Sequence, residues 1–381
     1  MRYVEGNRLT LLRNGEQYFP ALIAAIDGAR EEVFLESYIF ADDQTGSLVS
    51  DALARAAARG VSVHLLVDGF GARDFAPRFR RILAGAGAQA LVYRPDISPW
   101  TLRRDRLRRM HRKLACVDGR VAFVGGINIA DDYDGPDPAP PRADYAVRIE
   151  GPLTATVRAE AASLWARVAG RAGRAPPAAP APLGPFPDGY RAALVVRDSV
   201  RHRRDIEQAY LALIDAAREE VVIANAYFFP GRRFRQVLLR AARRGVRVVL
   251  LLQGRVEYLL QHYASRALYG ALLDAGIEIH EYRRGFLHAK VAVFDRRHAS
   301  VGSTNIDPFS LLLAREANVF VDDPRFAAGL RASLEEAMRA GASRLAPQQW
   351  KRQPLWERVL TWFGYGVARA LISFAGYERY H

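Results

Sequence analysis

Residues 287–307 read LHAKVAVFDRRHASVGSTNID, and the spacing inside this stretch decides how the chain is built. His288 and Lys290 sit two apart, Asp295 follows, and the small-residue run Gly302-Ser303-Thr304-Asn305 closes the stretch. Val291, Val293 and Phe294 before Asp295-Arg296-Arg297 predict a strand and a turn, with a second short strand at 299–301. Residues two apart on a strand share a face, so His288 and Lys290 project together. An imidazole beside an ammonium, with an amide close by, suits binding and attack of a phosphoryl group. Taken alone, such a motif is more often an incidental His and Lys on a buried strand.

Residues 110–130, MHRKLACVDGRVAFVGGINIA, change that balance. His111, Lys113, Asp118 and Asn128 fall at the intervals of His288, Lys290, Asp295 and Asn305, with Gly126 where the other copy has Ser303. The repetition runs further: residues 26–33 parallel 214–221, and 57–61 parallel 242–246. Tyr93 and Tyr282 lie 189 apart but His111 and His288 only 177, so the first half carries an insertion before its motif. This is one large duplicated unit, since solenoid periods are far shorter. Within the first copy the pattern predicts helices over 16–30, 47–59 and 79–84 alternating with strands over 33–40, 61–67 and 89–93. That alternation makes the fold class α/β.

Two ordinary domains fit into 381 residues, and we divide the chain into a first domain at 1–169, a Pro-rich linker at 170–187, a second domain at 188–345 and a C-terminal segment at 346–381. Half the residues are hydrophobic and a quarter charged, which excludes a disordered chain. Lys and Arg number 55 against 41 acidic residues, a surplus that favours a polyanionic partner, nucleic acid or an anionic membrane. The single cysteine, Cys116, excludes an intrachain disulfide, and no Cys/His cluster suggests zinc. The N-terminus has no apolar core of a secretory signal. The insertion at 95–110 holds Arg103, Arg104, Arg106, Arg108 and Arg109 with Trp100 and Leu102; it reads as a solvated loop or as a contact for a phosphate-rich surface. A second loop, 134–142, is too rich in proline to be helical. His64, His202, His262, His280 and His298 lack matching partners and read as structural or surface residues.

The paired motifs resemble the signature of the phospholipase D superfamily, His-x-Lys-x4-Asp-x6-Gly-[Gly/Ser]-x-Asn, which both copies match in full. Over nearly the whole chain the sequence is similar to bacterial cardiolipin synthases, in particular the short form without an N-terminal membrane hairpin. The resemblance implies two duplicated phospholipase-D-like α/β/α sandwich domains related by a pseudo-twofold, with one shared active site at their interface and neither metal nor cofactor. It implies a phosphatidyltransferase that moves a phosphatidyl group between phosphatidylglycerol molecules, giving cardiolipin and glycerol through a phosphohistidine. By analogy His111 attacks phosphorus while His288 is acid and then base; the sequence symmetry itself leaves that division open. Lys113, Lys290, Asn128, Asn305 and Ser303 are the expected phosphate ligands. Asp118 and Asp295 belong to the catalytic motif but read as structural supports. To orient the histidines, the family pattern points to Glu316 in the second half and, less directly, to Asp144 in the first.

Residues 355–377, LWERVLTWFGYGVARALISFAGY, are mostly apolar and near the length of a bilayer span. Arg358, Thr361, Tyr365, Arg369 and Ser373 recur as a polar stripe, and Trp356, Trp362 and Tyr377 flank the run, which favours an interfacial helix over a span. A helix docked on the protein's own core is the plainer alternative. The expected partner is therefore an anionic phospholipid surface, reached from the cytoplasmic face of the bacterial inner membrane, and not nucleic acid. Hydrolysis of phospholipid, or less readily of nucleic acid, is the competing activity; a scaffold with a dead site conflicts with two intact motifs. The sequence leaves the oligomeric state open.

Overall fold

The computed structural model describes every residue except Asp74, 96–107, 132–140, 171–179, 199–200, Tyr258, 352–354 and 375–381. Trp100, Leu102 and three of the five arginines of the insertion, most of the 134–142 loop, half of the linker and Tyr377 therefore lie outside the described residues.

The first half runs β1 (Val4–Arg13), α1 (Asn14–Asp27), β2 (Glu32–Ser37), α2 (Gln44–Ala58), β3 (Ser62–Asp68), α3 (Pro77–Gly85), β4 (Gln89–Tyr93), β5 (Lys113–Val117), β6 (Val121–Gly125), β7 (Tyr145–Glu150) and α4 (Leu153–Ala169). The second half repeats the order as β8 (Tyr190–Arg197), α5 (Asp205–Ala216), β9 (Glu220–Asn225), α6 (Arg232–Arg243), β10 (Arg247–Gln253), α7 (Leu259–Arg266), α8 (Tyr269–Asp274), β11 (Glu278–Tyr282), β12 (Lys290–Phe294) and β13 (His298–Gly302). It closes with α9 (Pro308–Leu312), β14 (Glu316–Asp322), α10 (Pro324–Gly341), the short β15 (Ala342–Arg344), α11 (Pro347–Lys351) and α12 (Leu355–Phe374).

All fifteen strands join one sheet in the order β15-β11-β10-β9-β12-β13-β14-β8-β1-β7-β6-β5-β2-β3-β4. Leaving out β15, the order reads alike from both ends, so a pseudo-twofold axis passes between β8 and β1, which pair antiparallel. In each half the outer three strands are parallel and the motif hairpin, β5-β6 or β12-β13, joins them antiparallel.

The inner strands are buried on both faces, which explains their unbroken apolar runs. Alternate residues of β2 serve different cores: Val33 and Leu35 pack under α1 to α3, whereas Phe34 joins a central core. β9 does the same with Val221 and Ile223 against Val222 and Ala224. The central core crosses the pseudo-twofold, uniting Leu114, Val147 and Trp165 with Val291, Val319 and Leu330 under α4 and α10. A side-chain cap sets the start of α2: Asp43 accepts a 2.7 Å hydrogen bond from Gly46 N, so the helix begins three residues before the apolar periodicity.

α12 packs against α7, with Gly364 so close that an added Cβ would lie 2.9 Å from Tyr263 Cβ, and with Tyr365 edge-on to Phe229 at 5.6 Å. The stripe of Thr361 and Tyr365 thus faces protein, not water. Val359, Leu360, Trp362 and Phe363 are left outward, 40–69 % exposed. Among the described residues no helix is long and apolar enough to cross a membrane.

Candidate active site

His111 and His288 precede the first residues of β5 and β12, at the ends of strands that reach the junction between the halves. Two isolated parallel bridges build that junction: Met110 pairs with Arg315, and Ala143 with Leu287. His111 N donates to Arg315 O at 3.0 Å and His288 N to Ala143 O at 2.9 Å. Each histidine is therefore held by backbone from the opposite half.

The side chains cross as well. His111 Nδ1 lies 2.9 Å from Glu316 Oε1, and His288 Nδ1 lies 2.7 Å from Asp144 Oδ2. Reading the sequence half by half would assign each carboxylate to its own half's histidine; in the structure each serves the other half's histidine. With Nδ1–H committed to a carboxylate, the neutral ring keeps its lone pair on Nε2, the atom a substrate would meet. Both carboxylates are buried and further tied: Ser303 Oγ donates to Glu316, and Asp144 Oδ1 accepts from Tyr145 N at 2.8 Å. The unlike residues Gly126 and Ser303 follow from this. A Cβ on Gly126 would stand 2.3 Å from Asp144 Oδ1, whereas the longer Glu316 leaves room for the serine hydroxyl.

Lys113 and Lys290 are almost fully buried, and each Nζ donates to the carbonyl of the histidine two residues before it. Burial pushes Lys113 down to about 7, opposed first by Glu316, and Lys290 down to about 8, opposed first by Asp144. Burial also lowers His111, against the pull of Glu316. It lowers His288 well below the ordinary imidazole value, helped by Lys290 and Lys113. Asp144 is raised to about 6 by burial, which Lys290 partly offsets. Two lysines, two imidazoles and two buried carboxylates form a cradle of charged and polar groups suited to an anionic phosphodiester.

Asn128 Oδ1 accepts from Ile39 N at 3.2 Å, while Asn305 Oδ1 is buried without a partner. Asp118 and Asp295 sit just past the far ends of five-residue strands, roughly 20 Å from the histidines by strand rise. There each carboxylate collects backbone N–H groups, Asp118 from Arg30, Glu31 and Glu32, Asp295 from Arg218, Glu219 and Glu220. The structure brings His111, Lys113, Lys290, His288, Asp144, Ser303 and Glu316 into one connected group, whereas Asp118 and Asp295 clamp the motif turn to the start of β2 or β9. Among the described residues no group of three or more His, Cys, Asp or Glu is arranged to hold a metal ion.

Several neighbours of the histidines carry no motif signal in the sequence. Tyr38 stands edge-on to His111 at 4.9 Å, with Lys113 Nζ 5.2 Å from its ring centre. Asp68 and Gln253 end β3 and β10 and receive the backbone N–H of Met110 and Leu287, at 2.8 and 3.1 Å. Their position at the carboxyl ends of parallel strands was the available signal.

The chain has counterparts among known proteins. The family described as "Cardiolipin synthase, PLD-like domain" matches residues 22–133 and 210–338. The chain belongs to this family. It is 37 % identical to Cardiolipin synthase B of Escherichia coli over 99 % of its own length and 91 % of that protein. Against Cardiolipin synthase A of Yersinia pseudotuberculosis the identity is 30 %, covering 93 % of this chain and 74 % of that one. Among solved structures, phosphatidylserine synthase of Haemophilus influenzae superimposes with a TM-score of 0.68 at 13 % identity, covering 96 % of this chain and 95 % of the other, which shows a common fold.

Proposed function

We propose that this chain is a cardiolipin synthase that transfers a phosphatidyl group between phosphatidylglycerol molecules. The single observation carrying the reading is the crossed pairing of His111 with Glu316 and His288 with Asp144, which gives one site two unequal imidazoles. The names of the similar proteins support the same activity. In this reading the phosphodiester lies between Lys113 and Lys290, whose ammonium groups offset its charge, and Asn128, Asn305 and Ser303 complete the polar surround. His111 Nε2 attacks phosphorus; the bond from phosphorus to the glycerol oxygen breaks, and that oxygen takes a proton from His288. The anionic diester itself favours the protonated form of His288 on binding. His288 then accepts the proton of the incoming phosphatidylglycerol hydroxyl, whose oxygen displaces His111 and restores both rings.

The reading places the enzyme on the anionic, cytoplasmic face of the bacterial inner membrane without a span. The outward apolar residues of α12 and the exposed Val256 and Leu259 beside it support interfacial docking, and the net charge of +14 supports attraction to anionic lipid. Purified protein with labelled phosphatidylglycerol vesicles tests the activity. Cardiolipin and free glycerol in equal amounts are expected; phosphatidic acid as sole product would make the chain a hydrolase.

A further inference from the structure

Between α8, α11 and α12 lies an open groove of about 600 Å³, and a hollow of about 210 Å³ continues it toward α6. Arg235, Leu268 and Ala271 line both parts, so they form one depression, of a size that small-molecule sites have. One side is apolar, made by Leu268, Trp350, Trp362 and Tyr365, and Trp362 is 62 % exposed. Val359, Leu360 and Phe363 extend that apolar surface outward along α12. The other side is cationic. Arg232 and Arg235 line it from the first turn of α6, which holds no acid and has no side-chain cap. A cation at the positive end of a helix is disfavoured unless an anion joins it. Among the described residues neither arginine meets a carboxylate, and Arg235 Nε is buried without a hydrogen-bond partner. Arg266, in contrast, pairs with Glu281 and lies over the Trp350 ring at 4.9 Å. Asp274 is the one acid among the described lining residues.

Among the described residues lining this groove are none of the histidines, lysines or carboxylates of the paired site. We infer that the groove holds one anionic phospholipid of the membrane as a second lipid site, its phosphate on Arg232 and Arg235 and an acyl chain along Leu268, Trp350 and Trp362. A phosphodiester supplies the anion that the start of α6 lacks, and charge-assisted hydrogen bonds to arginine are the strong ones. A zwitterionic headgroup would bring an ammonium beside the same arginines. A second copy of this chain, with its net charge of +14, would bring further cations. Tyr365, in the apolar wall, packs on Phe229, whose N donates to Ile306 O at 2.8 Å, directly after Asn305. A lipid in the groove therefore holds α12 against the loops beside the paired site. The inference goes beyond the transferase reading and does not depend on which reaction the histidines run.

The test places the full chain in nonionic detergent micelles, which lack the surface charge of a membrane, with phosphatidylglycerol or phosphatidylcholine carrying a diazirine in an acyl chain. After irradiation and trypsin, phosphatidylglycerol adducts are expected on both residues 267–283 and residues 359–369, at least about tenfold above those of phosphatidylcholine. Arg232→Gln combined with Arg235→Gln should remove that preference, and lysine at the same two positions should keep it. Ala271→Trp, at an exposed position shared by both parts of the groove, should remove the adducts on 267–283 without touching a charge. Arg81→Gln combined with Arg120→Gln, both exposed in the first half, should change nothing. Equal labelling by the two lipids, adducts confined to 359–369, or an equal loss in the Arg81 and Arg120 pair overturns the inference. Cross-links between chains in place of lipid adducts overturn it in favour of a second copy. Labelling as expected in a preparation that makes no cardiolipin from phosphatidylglycerol leaves the groove standing and overturns the transferase reading instead.

Discussion

The crossed carboxylates predict that Glu316→Gln and Asp144→Asn will fail at different chemical steps. Glutamine can still accept from His111 Nδ1 across the 2.9 Å contact, so the ring should stay in place and only the charge is lost. A positive imidazole about 4 Å from a carboxylate is worth about 4 kcal/mol at an effective dielectric constant near 20. That is about a thousandfold in rate. In Glu316→Gln the loss falls on the positively charged phosphoimidazole, so the phosphoenzyme forms slowly whatever the leaving group. In Asp144→Asn it falls on the acid and base. A phosphatidyl ester of p-nitrophenol, whose leaving group departs without a proton, should then react almost normally in its first step and stall in the second. Rapid-mixing spectrophotometry should show one equivalent of nitrophenolate per Asp144→Asn enzyme, followed by slow turnover and a trappable phosphohistidine. Glu316→Gln should show no burst. A burst in Glu316→Gln but not in Asp144→Asn would reverse the roles of the two histidines. Losses under tenfold on the natural lipid in both variants would refute the argument from the crossed pairs.

The titrating groups give kcat/KM a narrow bell. Asp144, raised to about 6, is charged only above that value, so activity falls as pH drops through it; Lys113 and Lys290, at about 7 and 8, lose their charge as pH rises, so activity falls again. A profile flat from about pH 5 to about pH 9 contradicts this. Gly126→Ala drives a methyl into the Asp144 carboxylate and should cut kcat by about tenfold or more while near-ultraviolet circular dichroism stays native. His64, stacked on Phe34 at 4.7 Å and lying 4.8 Å from Trp165 with both nitrogens buried and unpaired, is pushed down to about 4 by burial and by Arg158. Unfolding frees it to take a proton, so stability should fall between about pH 6.5 and pH 4, by up to about 3 kcal/mol, and urea titrations of His64→Phe should lack that loss. Replacing both Trp362 and Phe363 by serine should weaken flotation with anionic vesicles at least tenfold without lowering Tm, since both side chains are outward; unchanged flotation rules out α12 as the docking element.

Much of the fold was legible because two signals agreed. The helix and strand periods gave the layered α/β class, and the matching intervals around His111 and His288 gave the duplication. Boundaries slipped where a side chain with no periodic signature sets the end, as Asp43 does for α2. The candidate residues were legible as a set, but not in their pairings. A duplicated sequence states that Glu316 and Asp144 are each near some histidine; whether the halves exchange them depends on which backbone edges meet, and no residue spacing encodes the Met110–Arg315 and Ala143–Leu287 bridges. The direction of α12 was also hidden. A stripe of Thr361 and Tyr365 fits water or a protein groove equally well, and only the close approach at Gly364 decides for protein.

Exchange of the carboxylates has a consequence for how such a site is kept intact. If each half supplied a complete His–carboxylate pair, either half could hold its own ring in place and the interface would matter only for bringing two rings together. Here neither histidine is oriented until β14 and β7 of the opposite halves have docked, and Glu316 and Asp144 would be uncompensated buried carboxylates without their partners. The same contacts that order the site therefore penalise separation of the halves, and the continuous core across the pseudo-twofold adds to that penalty. At the paired site symmetry is broken by a longer carboxylate with a serine on one side and a shorter one against a glycine on the other. The Asp68 and Gln253 ends also differ, one carboxylate saturated with hydrogen bonds and one amide with its buried nitrogen left without a partner. A duplicated fold supplies two histidines, and these local departures from symmetry give them unlike surroundings, as the proposed mechanism requires.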